Sequence, residues 1–455
     1  MQNAGRIMLK RIQNTENVCE IRSGAELRIA EASFPAPFRS GLEYSSPARG
    51  TWNIVHTGML IPEAHEIFVC AAGCLRGVVL TAAEMNASER FSTVAVRERD
   101  LLEGDMEDLI VEGVTDVIEK LTRAGRRPPA ILVYTSCVHH FSGCDIESAY
   151  AVLRARFPDI DFTDCYMNPI MRKSGLTPDQ IMRSRLYSLL RPRPIEPKAL
   201  AILGNDLPTD AESELFSILR AAGWTVHEIT SCRSYEDYQR MAEAALYVSY
   251  YPAAKAGGDA LAARLGGRHM YLPFSYSCAE IAANLDALCQ AVGAPQLDHA
   301  AKAEECRRAL AETRALIGDT PIAIDYTAVP RPLGLARLLL DSGFRVTRVY
   351  ADSFSGEEKA DFEYLRQVCP DLLVTATVHA KMRFASERDE VCLAIGQKAA
   401  YFENTDHFVN VVEGGGMYGY EAVVKTCALM REAYLEPKPM RELVQIKGQG
   451  CGCCL

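Results

Sequence analysis

KALAILGNDLPTDAESELFSILRAAGWTVHEI, residues 198–229, decides the fold class. The aliphatic run after Lys198 reads as a buried strand. The segment ESELFSILRAAG has helical spacing and is stopped by Gly223, and TVHEI returns to strand. Strand, helix and strand in that order form a βαβ unit, which requires a parallel sheet. ALYVSYY (245–251) and HMYLPF (269–274) continue the pattern, so this stretch belongs to one doubly wound lobe.

The rhythm restarts at PIAIDY (321–326), followed by a helix ending near Gly343, then RVTRVY (345–350), LLVTATV (372–378) and AAYFE (399–403), the last expected as a further strand. Upstream, IFVC (67–70), TVAV (93–96) and AILVYTSC (130–137) are strand-like, with a helix from about Leu109 to Ala124. RPRPIEP (191–197) breaks helix and marks a boundary, as does the Gly318 to Pro321 region. The expectation is an α/β protein of three Rossmann-like, doubly wound parallel-sheet domains. Residues 1–40 form an N-terminal extension, 41–196, 197–318 and 319–435 the three domains, and 436–455 a Cys-rich tail.

Length agrees with several domains, because single hydrophobic cores stop growing at roughly 250–300 residues and this chain has 455. Its net charge of −10, without a long basic run, argues against nucleic acid as the main partner. No stretch approaches the ~18 apolar residues of a membrane span, and the N-terminal region lacks the apolar segment of a secretory signal. A cytoplasmic location is therefore expected. Sixteen cysteines in a reducing compartment point to metal or redox chemistry rather than to disulfides. Cys289, Cys392 and Cys427 sit in apolar patterns and are expected to be core thiols.

Two constellations carry chemistry. In VCAAGCLRG, Cys70 and Cys74 flank a turn expected to open a helix, so that backbone N–H groups point toward the thiolates. In TSCVHHFSGCDIE, Cys137 ends a strand and Cys144 follows a glycine. Cys70, Cys74, Cys137 and Cys144 together suffice for a [4Fe–4S] cluster. Zinc on a mixed set with His139 or His140 is the competing reading, although the spacings lack the tight C-x2-C knuckle of structural zinc. Cys165, after IDFTD, is a reserve ligand.

CAAGC (70–74), SC followed by G and DIE (136–147), and two further Rossmann-like lobes resemble the nitrogenase component 1-like family. That family comprises the nitrogenase subunits, their cofactor-assembly scaffold and the dark-operative protochlorophyllide reductase relatives. The likeness covers nearly the whole chain after Gly41. It implies an oxidoreductase subunit with an iron–sulfur cluster, [4Fe–4S] or larger, fed by a separate ATP-dependent iron–sulfur reductase. It also implies pairing as a homodimer or with a paralogous subunit.

By the family pattern Cys74 and Cys137 match two cluster cysteines. The early loop GLEYSSPARG (41–50) offers Glu43, Ser45 or Ser46 in place of another. An oxygen ligand, Cys70 from another direction, or a smaller cluster would each complete the set. Cys144 stands where relatives carry an acid. Tyr250 or its neighbour stands where the family's cofactor-anchoring cysteine would be, and the loss of that thiolate argues against dinitrogen reduction. His407, before GGMYGYE (415–421), lies near the expected histidine and is a candidate proton donor.

The tail thiols Cys451, Cys453 and Cys454 support an alternative role as a scaffold or carrier for cluster assembly. No Walker A motif occurs, and the glycine pairs Gly257–Gly258 and Gly266–Gly267 are not GxGxxG fingerprints, so any ATP would belong to a partner.

Overall fold

The computed structural model describes residues 24–39, 41–44, 46, 48, 54–167, 176–383 and 390–444. By internal contacts the chain divides into two compact units. One is Trp52–Pro208 with Gly223–Pro273, and the other is Met1–Thr51, Thr209–Ala222 and Phe274–Leu455. Strand numbering starts with β1 (Glu26–Arg28), which belongs to the latter unit.

The unit of residues 52–208 and 223–273 holds two four-stranded parallel sheets. In the first, β2 (His65–Ala71), β3 (Phe91–Val96), β4 (Ala130–Ser136) and β5 (Asp161–Met167) lie in the order β3-β2-β4-β5. Every residue of β4 is buried and so are the first six of β2, as a parallel sheet covered on both faces requires. Alternation sorts the side chains. Ile67, Val69, Ile131 and Val133 face a core with Ile110, Val114 and Ile118, whereas Phe68, Cys70, Leu132 and Tyr134 face another with Cys165, Met182 and Leu186.

Helices flanking this sheet include α1 (Ala72–Glu84), α2 (Met106–Arg123), α3 (Cys137–Phe141) and α4 (Ile146–Arg156). Ile110, Val114, Ile118 and Leu121 form the buried stripe of α2. At Gly113 a Cβ would come within 2.5 Å of Val94 Cγ1, so this glycine lets α2 press closely on β3.

The second sheet repeats the arrangement with β6 (Glu196–Leu203), β7 (Thr225–Glu228), β8 (Ala244–Ser249) and β9 (Arg268–Tyr271) in the order β7-β6-β8-β9. Helix α5 (Pro178–Ser188) supplies Met182, Leu186 and Tyr187 to a core that also contains Ala201 and Leu203 of β6. Arg183 of α5 is buried and pairs with Asp206 at 2.6 Å and with Asp179 at 3.1 Å.

In the other unit, β10 (Ile322–Asp325), β11 (Val346–Tyr350), β12 (Leu373–Thr375), β13 (Leu393–Ile395) and β14 (Phe408–Val409) form a six-stranded sheet with β1, in the order β1-β12-β11-β10-β13-β14. All pairings are parallel except β1 with β12. Residues 26–28, within the segment read as an extension, thus cover the sheet edge. Helices α6 (Cys278–Val292), α7 (His299–Ile317), α8 (Pro332–Asp341), α9 (Gln397–Glu403) and α10 (Tyr420–Leu435) belong to the same unit.

One expectation is corrected. AAYFE (399–403) is not a strand but lies in α9, after the short strand β13. Most of α9 is buried, so no polar face reveals its period, and a short apolar run cannot be told from a strand. What starts the helix is tertiary: the Asp325 carboxylate accepts from the Ala399 N–H at 2.8 Å.

Candidate metal centre

The order β3-β2-β4-β5 reverses the winding between β2 and β4, which makes their carboxyl ends a topological switch point, where open α/β sheets bind ligands. The chain leaves β2 directly into α1 and β4 directly into α3. Cys74 is the third residue of α1 and Cys137 the first of α3, so two thiols from distant sequence flank one crevice. Cys74 is exposed and Cys137 partly so. Ala71, the N-cap of α1, has no side chain able to cap the helix, so the N–H groups of its first turn remain available to an anion.

Partial burial and the neighbouring Cys137 sulfur push the Cys74 thiol above its ordinary value. Two thiolates brought together without a cation repel, and a bound metal reverses the sign of that interaction. Neither thiol has a hydrogen-bond partner among the described residues. The pair therefore fits a metal or cluster, supplying two free sulfur ligands.

Cys70 stands behind them. Its side chain is wholly buried with Phe68 and Tyr134, and burial together with Cys74 pushes its thiol to about 12. Cys144 lies elsewhere: it packs on the opposite core, and burial and a hydrogen bond to the Glu107 carboxylate push it to about 12. Cys165 is sealed beside Tyr134 and Glu66, with its thiol raised by burial first and then by Glu66. The structure thus brings Cys74 and Cys137 together, sets Cys70 next to Cys74, and separates Cys144 and Cys165 from the crevice.

His139 is fully buried, and its Nδ1 accepts the Ser136 N–H at 3.2 Å. The remaining ring proton is then on Nε2, which has no hydrogen-bond partner among the described residues. Burial lowers the basicity of this imidazole. Tyr250 follows β8 at the corresponding switch point of the second sheet, is fully buried, and packs its ring 4.7 Å from that of Tyr251. His407 precedes β14, at the amino end of its sheet, and its Nδ1 donates to Ala433 O at 3.1 Å. Glu43 forms an isolated bridge to His379, and Ser46 is buried. Ser45 and the tail thiols Cys451, Cys453 and Cys454 lie outside the described residues. Cys289, Cys392 and Cys427 are buried, as expected of core thiols.

Another donor set, Glu196, His227 and Glu243, brings its ligand atoms within 4.8 Å of one another. Arg193 at 3.2 Å and Arg240 at 3.5 Å already neutralise Glu243, which accounts for this cluster as an ion-pair network. Sequence reasoning missed Glu66, a carboxyl inside β2 that accepts from Tyr134, because an acid within a strand-like run carries no signal of its own. Among the described residues, no helix is long and apolar enough to cross a membrane.

Comparison with known proteins agrees with this architecture. Residues 55–417 match the model of the family described as nitrogenase component 1 type oxidoreductase. A structure described as nitrogenase Cp1 at pH 6.5 is similar with a TM-score of 0.64 and 14% identity, over 87% of this chain and 94% of that one. Nitrogenase Cp1 at pH 5 is similar with a TM-score of 0.55 and 13% identity, over 94% of this chain and 97% of that one. No curated protein matched the sequence. With the family model spanning most of its length, the chain belongs to the nitrogenase component 1 type oxidoreductases.

Proposed function

We propose that this protein is a nitrogenase-like oxidoreductase subunit that holds an iron–sulfur cluster on Cys74 and Cys137. The cluster would receive electrons from a separate ATP-dependent iron–sulfur reductase and pass them to a substrate. One observation carries the reading: two unbonded thiols, each in the first turn of a helix, flank the switch point between β2 and β4. When bound, such a cluster supplies one-electron redox chemistry at a potential set by its hydrogen bonds and exposure.

The chain's own residues do the holding. Backbone N–H groups at the start of α1 stabilise negative charge on sulfur, and β4, fully buried, and β2, buried over its first six residues, fix both helix starts. Two thiols are half of a four-cysteine set. Cys70, next to Cys74, is a further sulfur, yet it is wholly buried and pushed to about 12, so it is a poor ligand as it stands. We therefore assign completion of the cluster to a second subunit, either another copy or a paralogue. Cys144, hydrogen-bonded to Glu107, is left out of the set. His407 is likewise left out, because its ring is tied to Ala433 at the amino end of the sheet.

The test is iron, acid-labile sulfide and zinc content of anaerobically purified protein, with an electron paramagnetic resonance spectrum after dithionite. About four irons and four sulfides per chain or per pair, with a reduced-cluster signal, supports the reading. Zinc alone, or no metal after reconstitution, overturns it.

A further inference from the structure

At the end of the first sheet opposite Cys74 and Cys137 stands a guanidinium without a counter-charge. Arg90 immediately precedes β3, His65 opens β2 and Pro129 immediately precedes β4, so these residues gather at the amino end of the sheet. They line a cavity of about 230 Å³. The charged side chains around it are Arg90, Arg126, Arg127, Glu63 and Glu89, an excess of positive charge. Leu121 of α2, Pro128 and Pro129 give it an apolar wall.

Arg90 is half-buried. Its Nε donates to Ala64 O at 2.9 Å and its Nη2 to Ile61 O, both in the loop before β2. Carbonyl oxygens orient the fork without neutralising it, and Arg90 makes no ion pair among the described residues. Burial lowers its basicity and outweighs the opposing charges of Glu66 and Glu63. Glu66 is itself buried, which favours its neutral form, and the Glu63 carboxylate accepts the Tyr235 N–H at 2.7 Å. A cation held partly out of water without an anion is costly, so an anion gains most in the cavity beside it.

The neighbouring arginines differ in how far they are already satisfied. Asp159 accepts from Arg127 Nε and Nη2 at 2.8 Å each. The Arg126 guanidinium reaches only Glu89 among the described residues, at 3.4 Å, and both side chains are exposed. His65 reports the field of the two less satisfied cations: burial first, then Arg90 and Arg126, holds its imidazole down to about 4. The ring is therefore neutral near pH 7, and its Nε2 is bonded to Ser92 Oγ at 2.8 Å.

We propose that this cavity binds a small ligand through its phosphate group, held between Arg90 and Arg126, with any short organic portion against Leu121, Pro128 and Pro129. Phosphate rather than carboxylate follows from the donors. Two guanidinium groups present more N–H groups and more positive charge than one carboxylate satisfies, whereas a phosphate offers three oxygens and close to two negative charges. Sites for drug-sized molecules start at about 300 Å³, so this smaller cavity excludes them. The site lies at the opposite end of β2 and β4 from Cys74 and Cys137 and does not share space with the metal centre.

The experiment is isothermal titration calorimetry of the full chain in a phosphate-free buffer at fixed ionic strength, with inorganic phosphate as one probe and propyl phosphate as the other. Saturable binding at one site per chain is expected. Tighter binding of propyl phosphate identifies a phosphomonoester as the ligand, and equal or tighter binding of inorganic phosphate identifies the free ion. Arg126→Gln, at an exposed position, should weaken binding about tenfold, the value of one charge-assisted contact, and Arg90→Gln should weaken it at least as much. Absence of saturable heat from both probes at about 10 mM overturns the proposal, and so does unchanged affinity in Arg126→Gln. Because the parent chain and Arg126→Gln decide the outcome, an Arg90→Gln variant that fails to fold does not rescue it.

Discussion

Tyr134 donates its hydroxyl to Glu66 Oε1 at 3.2 Å, with both side chains buried inside the sheet that presents Cys74 and Cys137. The second carboxylate oxygen, Oε2, has no hydrogen-bond partner among the described residues. A Cβ on Gly58 would lie 2.1 Å from Glu66 Oε1 and 2.3 Å from the Tyr134 hydroxyl, so the pair fits only because that position is bare. Burial raises the Glu66 carboxyl well above its ordinary range, against smaller opposing effects of Tyr134 and Arg90.

A raised carboxyl pKa means that the folded state favours the protonated form. Its contribution is fully present below the unfolded carboxyl value and is lost as pH rises through the folded one. Glu66→Gln mimics the neutral form, so its melting temperature should match the parent below the ordinary carboxyl range and exceed it increasingly as pH rises from there toward the raised folded value. Thermal melts across the pH range check this, and a variant less stable than the parent at every pH would refute it.

At the crevice, Cys74→Ala or Cys137→Ala should each remove most of the iron from anaerobically purified protein. Cys144→Ala should keep it, since that thiol packs on the opposite core. Iron and sulfide assays on the three variants decide the assignment, and iron loss in Cys144→Ala alone would reverse it.

Arg183 is 4% exposed and holds Asp206, itself 5% exposed, at 2.6 Å. Arg183→Met leaves that carboxylate buried without its cation and should cost about 3–5 kcal/mol, read from urea unfolding of the unit's spectroscopic signal. The double replacement Arg183→Met with Asp206→Leu should recover much of the loss.

Gly396, between β13 and α9, has φ +109°, and a Cβ there would meet Asp325 Oδ2 at 2.2 Å. Gly396→Ala should therefore destabilise by more than about 1 kcal/mol through both backbone strain and displacement of the Asp325 carboxylate. Denaturant midpoints measure the effect.

His407→Ala should lose about 1 kcal/mol, the value of one hydrogen bond to Ala433, and leave iron content unchanged. Loss of iron in that variant would return the histidine to the cluster.

The repeating strands and helices were legible in the sequence because buried parallel strands are nearly continuous apolar runs. AILVYTS became β4 and the run after Lys198 became β6. The placement of Cys74 and Cys137 was legible for the same reason: a residue within three positions of the end of such a run lies near the carboxyl end of the sheet. The helical AAYFE was not legible, since a helix buried on most sides shows no period, and its start depends on Asp325, far away in sequence.

What the sequence determined by itself was therefore local: which segments are strands, where the chain leaves them, and which side chains stand at those exits. Which thiols meet was decided only by the tertiary structure. Cys144 follows Cys137 closely in the chain, yet one short helix turns it onto the other face of the sheet, while Cys74 arrives beside Cys137 because β2 and β4 are hydrogen-bonded neighbours. Periodicity and turn chemistry act over a few residues, whereas strand order and helix packing bring together groups that are far apart in the chain, and it is at those meetings that sulfur chemistry becomes possible.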